Sequence, residues 1–415
     1  MTDIKFSLPD SVKYIIVSLE NAGYRADVVG GPVRDLLLGK LPSDYDITTN
    51  ALPEDIKRVF SNHRTVDTGI QHGTVTLVLD GENYEITTYR IDGEYRDSRH
   101  PESVSFTDDI TLDLSRRDFT VNAIAYNPTD GITDPFDGIS DLKSGIIRAV
   151  GDPVLRFSED ALRILRCIRF ASTLGFTIED STAAAAKSLA PLLLNVSGER
   201  IFTEWKKLLF GKRAHSVLSD FSEIVSVIFP ELSVKGDGLI LPDEDRFYGS
   251  GLDLFVAIFY LNSPDSAHLK YRAACDRLHT DSATRDLGAL ALCAVGKFNT
   301  DTDIGINRLM VEYHPQVCRC ILSVERILGI SNGDGTAILD ELLRRRAPYR
   351  TTDLDINGND VFAIGYRGSE IGRIMRDMLY LVVDRRLDNS RAELLRFAKK
   401  RYGDAHPDVD NGKSM

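Results

Sequence analysis

Residues 28–51 read VVGGPVRDLLLGKLPSDYDITTNA. A short apolar run enters two adjacent glycines, an arginine follows one turn later, and Asp-x-Asp leads into a second apolar run. The order predicts a strand over Arg25–Val29, a helix over Pro32–Leu38 stopped by Gly39, and a second strand over Tyr45–Thr49. Gly30-Gly31, between strand and helix, leaves a bare backbone where a phosphate can approach the helix N-terminus. Arg34 adds a charged donor to the same anion. On a strand, Asp44 and Asp46 would point to one face about 7 Å apart. Two carboxylates so placed can hold Mg²⁺, whose ions lie about 3.5–4 Å apart in two-metal phosphoryl-transfer sites. Taken singly, these pieces read as a plain turn and a solvated acidic loop. Their order makes a phosphate site facing a metal site.

Outward from this stretch, His72–Leu79 and Asn83–Tyr89 alternate apolar and polar residues around Asp80-Gly81, which predicts a hairpin. Glu85 on its second strand is a candidate third carboxylate. RRDFTVNAIAYN, residues 116–127, is expected to open a helix within Ser115–Ala125. Asp118 and Asn122 would then share a face beside Arg117, a trio suited to triphosphate and ribose hydroxyls. An ordinary capped helix is the alternative. The glycine pair is neither a dinucleotide fingerprint nor a P-loop, so those readings lose their main support.

After Asp152 the spacing becomes helical. FSEDALRILRCIRFASTLGF, residues 157–176, reads as one helix with Ser158 as N-cap and Gly175 as stop. Asp160, Arg163, Arg166 and Arg169 recur every three residues along it. The ordinary reading is an exposed, salt-bridged face. The alternative is base reading: a carboxylate accepts from the exocyclic amine of cytosine or adenine while an arginine donates to the neighbouring ring nitrogen. Uracil and guanine present a carbonyl where the amine should be and would be rejected. Residues 156–213 carry ten basic residues against six acids, and further basic clusters lie at 343–350 and 385–401. Charge runs are usually solvated faces, but three along a helical body can track an RNA backbone.

Across 415 residues, 50 Lys and Arg against 62 Asp and Glu give a net charge of −12, so any nucleic acid must meet a local basic stripe. No secretory signal or 18-residue apolar run occurs, and the five cysteines are scattered, which together read as a soluble, cytoplasmic chain without disulfides.

In order, GGPVRDLLLGKLPSDYDITTNA, TGIQHGTVT, RRDFTVNAIA, DPFDGISDL and EDALRILRCIRFA resemble the head and neck motifs of the class II tRNA nucleotidyltransferases. These are the CCA-adding enzymes of the polymerase-β-like superfamily. The motifs cover roughly residues 25–210, and the segment from residue 353 to 401 resembles the tail of the Bacillus-like branch. The resemblance implies an α/β head with a small mixed sheet, followed by an elongated all-helical neck, body and tail. The expected division is head 1–152, neck 153–215, body 216–330, tail 331–405 and a disordered C-terminus 406–415. The implied activity is untemplated addition of C, C and A to a tRNA 3′ end from CTP and ATP, with two Mg²⁺ ions and pyrophosphate release. Residue by residue, Asp44 and Asp46 match the metal ligands, with Glu85 as a further carboxylate, and Gly31 and Arg34 match the triphosphate contacts. Arg117 matches the nucleotide contact of the RRD motif, Asp160 and Arg163 the base-reading pair, and Arg166 and Arg169 further nucleotide contacts.

The partners expected are tRNA and the two nucleotides, with no membrane and no protein partner. Relatives that add only CC are altered in the loop between the first two motifs. The corresponding RIDGEYRDSRHPESVSF, residues 90–106, reads as intact. CC-only, A-only and poly(A)-adding enzymes remain alternatives within the same chemistry, although the basic C-terminal extension typical of poly(A) polymerases is not seen. A non-catalytic RNA-binding relative would be expected to lose one of the two aspartates, and both are present.

Overall fold

The structure, a computed structural model, describes residues 5–93, 103–232 and 238–402. The chain divides into two compact units, the first essentially Met1–Pro230 and the second holding most of Ile240 onward. The first unit opens with α1 (Asp10–Asn21), β1 (Ala26–Val29), α2 (Gly31–Leu37), β2 (Ile47–Thr49) and α3 (Pro53–Val59). Next come β3 (Arg64–Gly69), β4 (Thr74–Leu79), β5 (Glu82–Thr88), β6 (Arg90–Asp92), β7 (Val104–Phe106) and α4 (Ile110–Ser115). Then follow β8 (Ala125–Asn127), β9 (Gly131–Thr133) and α5 (Gly138–Ser144).

Seven of these strands form one mixed sheet in the order β3-β4-β5-β2-β1-β8-β9. Only β2 and β5 run parallel, with Ile47 opposite Ile86. The expected hairpin is β4–β5, and its turn residues Asp80 and Gly81 both take positive φ, 53° and 84°, which suits a two-residue loop between twisted strands. Its first strand starts at Thr74, later than expected, because Gly73 at φ 82° closes a 3₁₀ turn over Ile70–His72.

The two faces of this sheet differ, and the difference positions the site. Ala26, Val28, Ile47, Val75, Leu77 and Ile86 pack with Val12, Ile15, Ile16 and Leu19 of α1 in a fully apolar core. On the other face, period-two alternation brings up Asp27, Thr48 and Thr87 beside a smaller core of Val29, Tyr89, Ile110, Leu114 and Val150. Thr48 donates to the carboxylate of Asp113, and Asp27 accepts from the Tyr89 hydroxyl at 2.7 Å.

Three sequence-based expectations are corrected here. β2 begins at Ile47, not Tyr45. Asp46 still accepts from Val29 N–H at 3.0 Å, but β1 turns away at Gly30, so Tyr45 and Asp44 have no strand to pair with. The RRD segment is not a helix: α4 ends at Ser115, Phe119 is extended and bridges Ala149, and Thr120–Asn122 is a single 3₁₀ turn. The neck is not one helix either. It breaks into α6 (Pro153–Glu159) and α7 (Leu162–Leu174), with Asp160 extended at φ −132°, ψ 103° between them. Ser158 therefore lies inside α6, donating to Val154 O at 2.7 Å, and α6 is capped by Asp152. Gly175 ends α7 at φ 78°, as expected. A short β10 (Ile146–Ile147) pairs in parallel with β11 (Thr177–Ile178), and α8 (Asp180–Ser188) and α9 (Gly198–Leu209) complete the neck.

The second unit is helical throughout its described residues. An aromatic core joins Phe255, Phe259 and Tyr271, with Phe255 and Phe259 ring centroids 5.1 Å apart. A separate core of Leu354, Val361, Ile374, Met378, Leu379 and Leu394 holds its C-terminal helices together. All five cysteines are free thiols. Among the described residues no helix is long and apolar enough to cross a membrane. The loop expected to separate CCA from CC addition falls largely on residues 94–102, and the expected C-terminal tail on 406–415. Both lie outside the described residues.

Candidate active site

At the end of β1, Gly30 takes φ 80°, ψ −128°, a conformation that side chains other than glycine's rarely adopt. A Cβ there would also lie 2.8 Å from Arg117 Nη1, so the arginine rests on the bare turn. Gly31 has an ordinary backbone, and Arg34 Nη2 would be 3.7 Å from a Cβ built on it. Gly30 is thus the constrained glycine of the pair, which the sequence did not separate. α2 is only seven residues long. An anion at this turn would therefore meet Arg34 and Arg117 more than a helix dipole.

Arg117 is four-fifths buried, with Asp113 Oδ2 at 3.6 Å and its Nε without a hydrogen-bond partner. Burial lowers its affinity for the proton below the ordinary arginine range, against the attraction of Asp113. A buried guanidinium with donors to spare is what a polyanion would satisfy. Asp113, fully buried, accepts from Arg116 Nε and Nη2 (3.0 and 2.8 Å) and from Arg90 N–H (3.3 Å). Through Thr48 it also braces the strand that Asp46 leads into. Its signal in the sequence was a carboxylate one helical turn before two arginines.

Asp118 and Asn122 do meet, although no helix presents them. Asp118 Oδ1 accepts from Asn122 Nδ2 at 3.0 Å and from Phe119 N–H at 2.8 Å. Asn122 Oδ1 accepts from Arg34 Nη1 at 2.6 Å. Asp118 Oδ2 accepts from Arg166 Nη2 at 2.6 Å and Nε at 2.8 Å. Burial alone would raise the Asp118 carboxyl, but Arg166, with help from Asn122 and Arg163, holds it at about 2. A chain of bonds thus runs from Arg34 on α2 through Asn122 and Asp118 to Arg166 on α7. DPFDGISDL supports it from below: Gly138 lies so close that a Cβ would meet Thr120 O at 2.2 Å, and Asp141 accepts from Thr120 at 2.7 Å.

Asp44 and Asp46 are both exposed. Surrounding protein raises the Asp46 carboxyl above its ordinary range, Arg117 opposes this, and Asp44 and Glu85 add to it. Register places Glu85 one step from the Ile47–Ile86 pair, beside Asp46. Even so, no three Asp, Glu, His or Cys side chains among the described residues converge into a ready metal cluster. Glu85 stands near the pair without completing a triad.

In the neck, Asp160 and Arg163 do not pair with each other. Asp160 accepts from Leu162 N–H at 3.1 Å, which caps α7, and from Arg200 Nη2 at 3.0 Å. Arg163 donates to Glu159 (2.8 Å), Arg116 O (2.8 Å) and Arg156 O (3.2 Å). These three bonds leave two of its five N–H groups. Arg169 donates to Glu204 at 2.7 Å. Glu159, Arg200 and Glu204 were missed because nothing in their spacing distinguishes them from surface charges. These pairings engage Arg163, Arg169 and Arg200 within the neck itself. In the second unit, Arg345 and Arg385 pair with Asp303, and Arg391 pairs with Asp360. Among the described residues, Arg346, Lys399, Lys400 and Arg401 make no ion pair.

A mixed sheet carrying a glycine turn, buried arginines and strand-edge carboxylates defines a nucleotidyltransferase head. Residues 26–148 match the family model of the poly A polymerase head domain. Residues 175–235 match the model described as the probable RNA and SrmB-binding site of polymerase A. The CCA-adding enzyme of Leuconostoc mesenteroides is 34% identical over 394 residues, covering 94% of this chain and 96% of its own length. That of Enterococcus faecalis is 35% identical, covering 93% and 94%. The chain belongs to the CCA-adding enzymes. Among solved structures, the Bacillus stearothermophilus CCA-adding enzyme in complex with CTP superimposes with a TM-score of 0.72 at 28% identity, covering 96% of this chain and 99% of that one.

Proposed function

We propose that this chain adds C, C and A in turn to the 3′ end of tRNA, using CTP and ATP and releasing pyrophosphate. The observation that carries the reading is the bonded chain Arg34–Asn122–Asp118–Arg166, which ties the phosphate turn to the neck helix. In this reading Arg34 and Arg117 bind the triphosphate, and the tRNA 3′-hydroxyl attacks the α-phosphorus as the bond to pyrophosphate breaks. Both arginines offset charge that grows on the leaving oxygens. Arg163 and Asp160 face the base: two spare N–H donors on one, a carboxylate held by Arg200 on the other. Arg166 and Arg169 serve as further nucleotide contacts.

Asp44 and Asp46 suit a hard divalent cation, since they are open to water, two residues apart in sequence, and next to the phosphate turn. Bound there, Mg²⁺ would neutralise phosphate charge and polarise the attacking hydroxyl. Glu85 would add to the negative field. The tRNA would meet the second unit through cations that make no ion pair among the described residues, Arg346 and Lys399–Arg401 foremost. Cytoplasmic residence belongs to the same reading.

The test is product length on tRNA ending before CCA, with CTP, with ATP and with both, for the unaltered chain and Asp46→Ala. Three added nucleotides with both substrates, and none in the variant at unchanged tRNA affinity, is the expected result. Two additions with CTP and no further one with ATP would make it a CC-adding enzyme instead.

A further inference from the structure

Phe170, on α7, is almost fully buried, yet three guanidinium groups lie around its ring. Arg169 Cζ lies 3.5 Å from the ring centroid, and Arg34 and Arg166 Cζ each lie 5.2 Å from it. All three are within the range in which the negative face of an aromatic ring attracts a cation. Arg34 comes from the phosphate turn, and Arg166 and Arg169 come from the neck. The acids around them are already engaged: Asp118 by Arg166, Glu204 by Arg169, and Asp35 by Arg34 at 2.8 Å. Like charges gathered around one side chain repel, and the ring is a neutral group that all three approach. Its own tilt is set by Phe119, edge-on at 5.7 Å and 77°, whose N–H is bonded to Asp118.

Building on the nucleotide site proposed above, we propose that Phe170 is a positioning residue for nucleotide binding. The electron-rich ring holds Arg169 and fixes the spacing of Arg34 and Arg166, so the cations are in place before the triphosphate arrives. An aliphatic side chain of similar size would fill the same space without attracting any of them. The inference is therefore about the electrons of the ring, not its volume.

Stepwise fluorination separates the two, because it withdraws density from the ring face with little change in shape. The full-length chain would carry 4-fluoro-, 3,5-difluoro- or 3,4,5-trifluorophenylalanine at position 170, with Phe170→Leu and Phe170→Tyr beside them. The readouts are Kd for CTP by calorimetry, KM and kcat on tRNA lacking CCA, and Tm. Kd and KM are expected to rise with each fluorine, reaching about three- to tenfold in the trifluoro protein. Phe170→Leu should match it, Phe170→Tyr should stay near the unaltered chain, and kcat and Tm should move little. A flat Kd across the series, or losses confined to Tm and kcat, would reduce Phe170 to core packing. If the unaltered chain bound CTP but extended no tRNA, the functional reading would fail while the Kd series still decided this one.

Discussion

Asp118→Asn is the substitution for which the structure gives the most complete expectation. In the native chain each carboxylate oxygen of Asp118 accepts two N–H bonds, from Phe119 and Asn122 on one and from Arg166 twice on the other. An amide can offer its oxygen to only one side, and its NH₂ then faces donors on the other. The fall of the carboxyl from its ordinary 3.8 to about 2 corresponds to about 2.5 kcal/mol. With the Arg166 side chain 32% exposed, solvent screening brings this to about 2 kcal/mol. The misplaced donor adds about 1 kcal/mol more. At pH 7 the first unit should therefore lose about 3 kcal/mol, or roughly 6–12 °C in Tm.

The sign with pH follows from the depressed native value. The contribution of Asp118 is fully present above 3.8 and is lost as pH falls towards 2. The variant has no such group, so the gap between the two proteins should narrow below pH 4, to about the 1 kcal/mol of the misplaced donor. Trp205, the single tryptophan, is fully buried on α9 and reports unfolding of this unit alone. Urea titrations of its fluorescence at pH 7, 5, 4 and 3 measure the gap directly. A gap constant from pH 7 to 3, or no loss at pH 7, would refute the assignment of Asp118 as a buried, ionised partner of Arg166.

Gly30→Ala combines a backbone strain at φ 80° with a Cβ 2.8 Å from Arg117, so KM for CTP and ATP should rise about tenfold or more; unchanged kinetics would place Arg117 outside the nucleotide site. Asp27 is fully buried with one oxygen unpartnered, and burial raises its carboxyl above 3.8. Its charge therefore destabilises the native state increasingly as pH rises through and above that value. Asp27→Asn should raise Tm at pH 8 and differ little at pH 4, and thermal melts at both values test this. Asp160→Ala should lower use of CTP and ATP about ten- to a hundredfold and narrow the preference over UTP and GTP. Arg200→Ala should do the same more weakly, because it frees the carboxylate without removing it. Equal losses for all four nucleotides would assign the pair to helix capping alone.

The sequence alone determined the local grammar of this protein. Two glycines before an arginine, a two-residue turn at Asp80-Gly81, and apolar alternation that turns helical after Asp152 depend on neighbours in the chain, where spacing and backbone preference act directly. Most of the candidate residues were legible for the same reason, since they lie in compact runs. Tertiary structure decided how those residues come together. Asp118 and Asn122 meet because an extended Phe119 bridges Ala149, not because a helix aligns them. Asp160 leaves the helical stripe because α6 and α7 break there and Arg200, forty residues on, holds it. Glu204 and Arg200 gain their meaning only when α9 packs on α7, and Asp113 only when it is buried beneath Thr48. A carboxylate looks alike in sequence whether solvated or buried; burial removes water as a partner, and the fold alone decides which arginine replaces it.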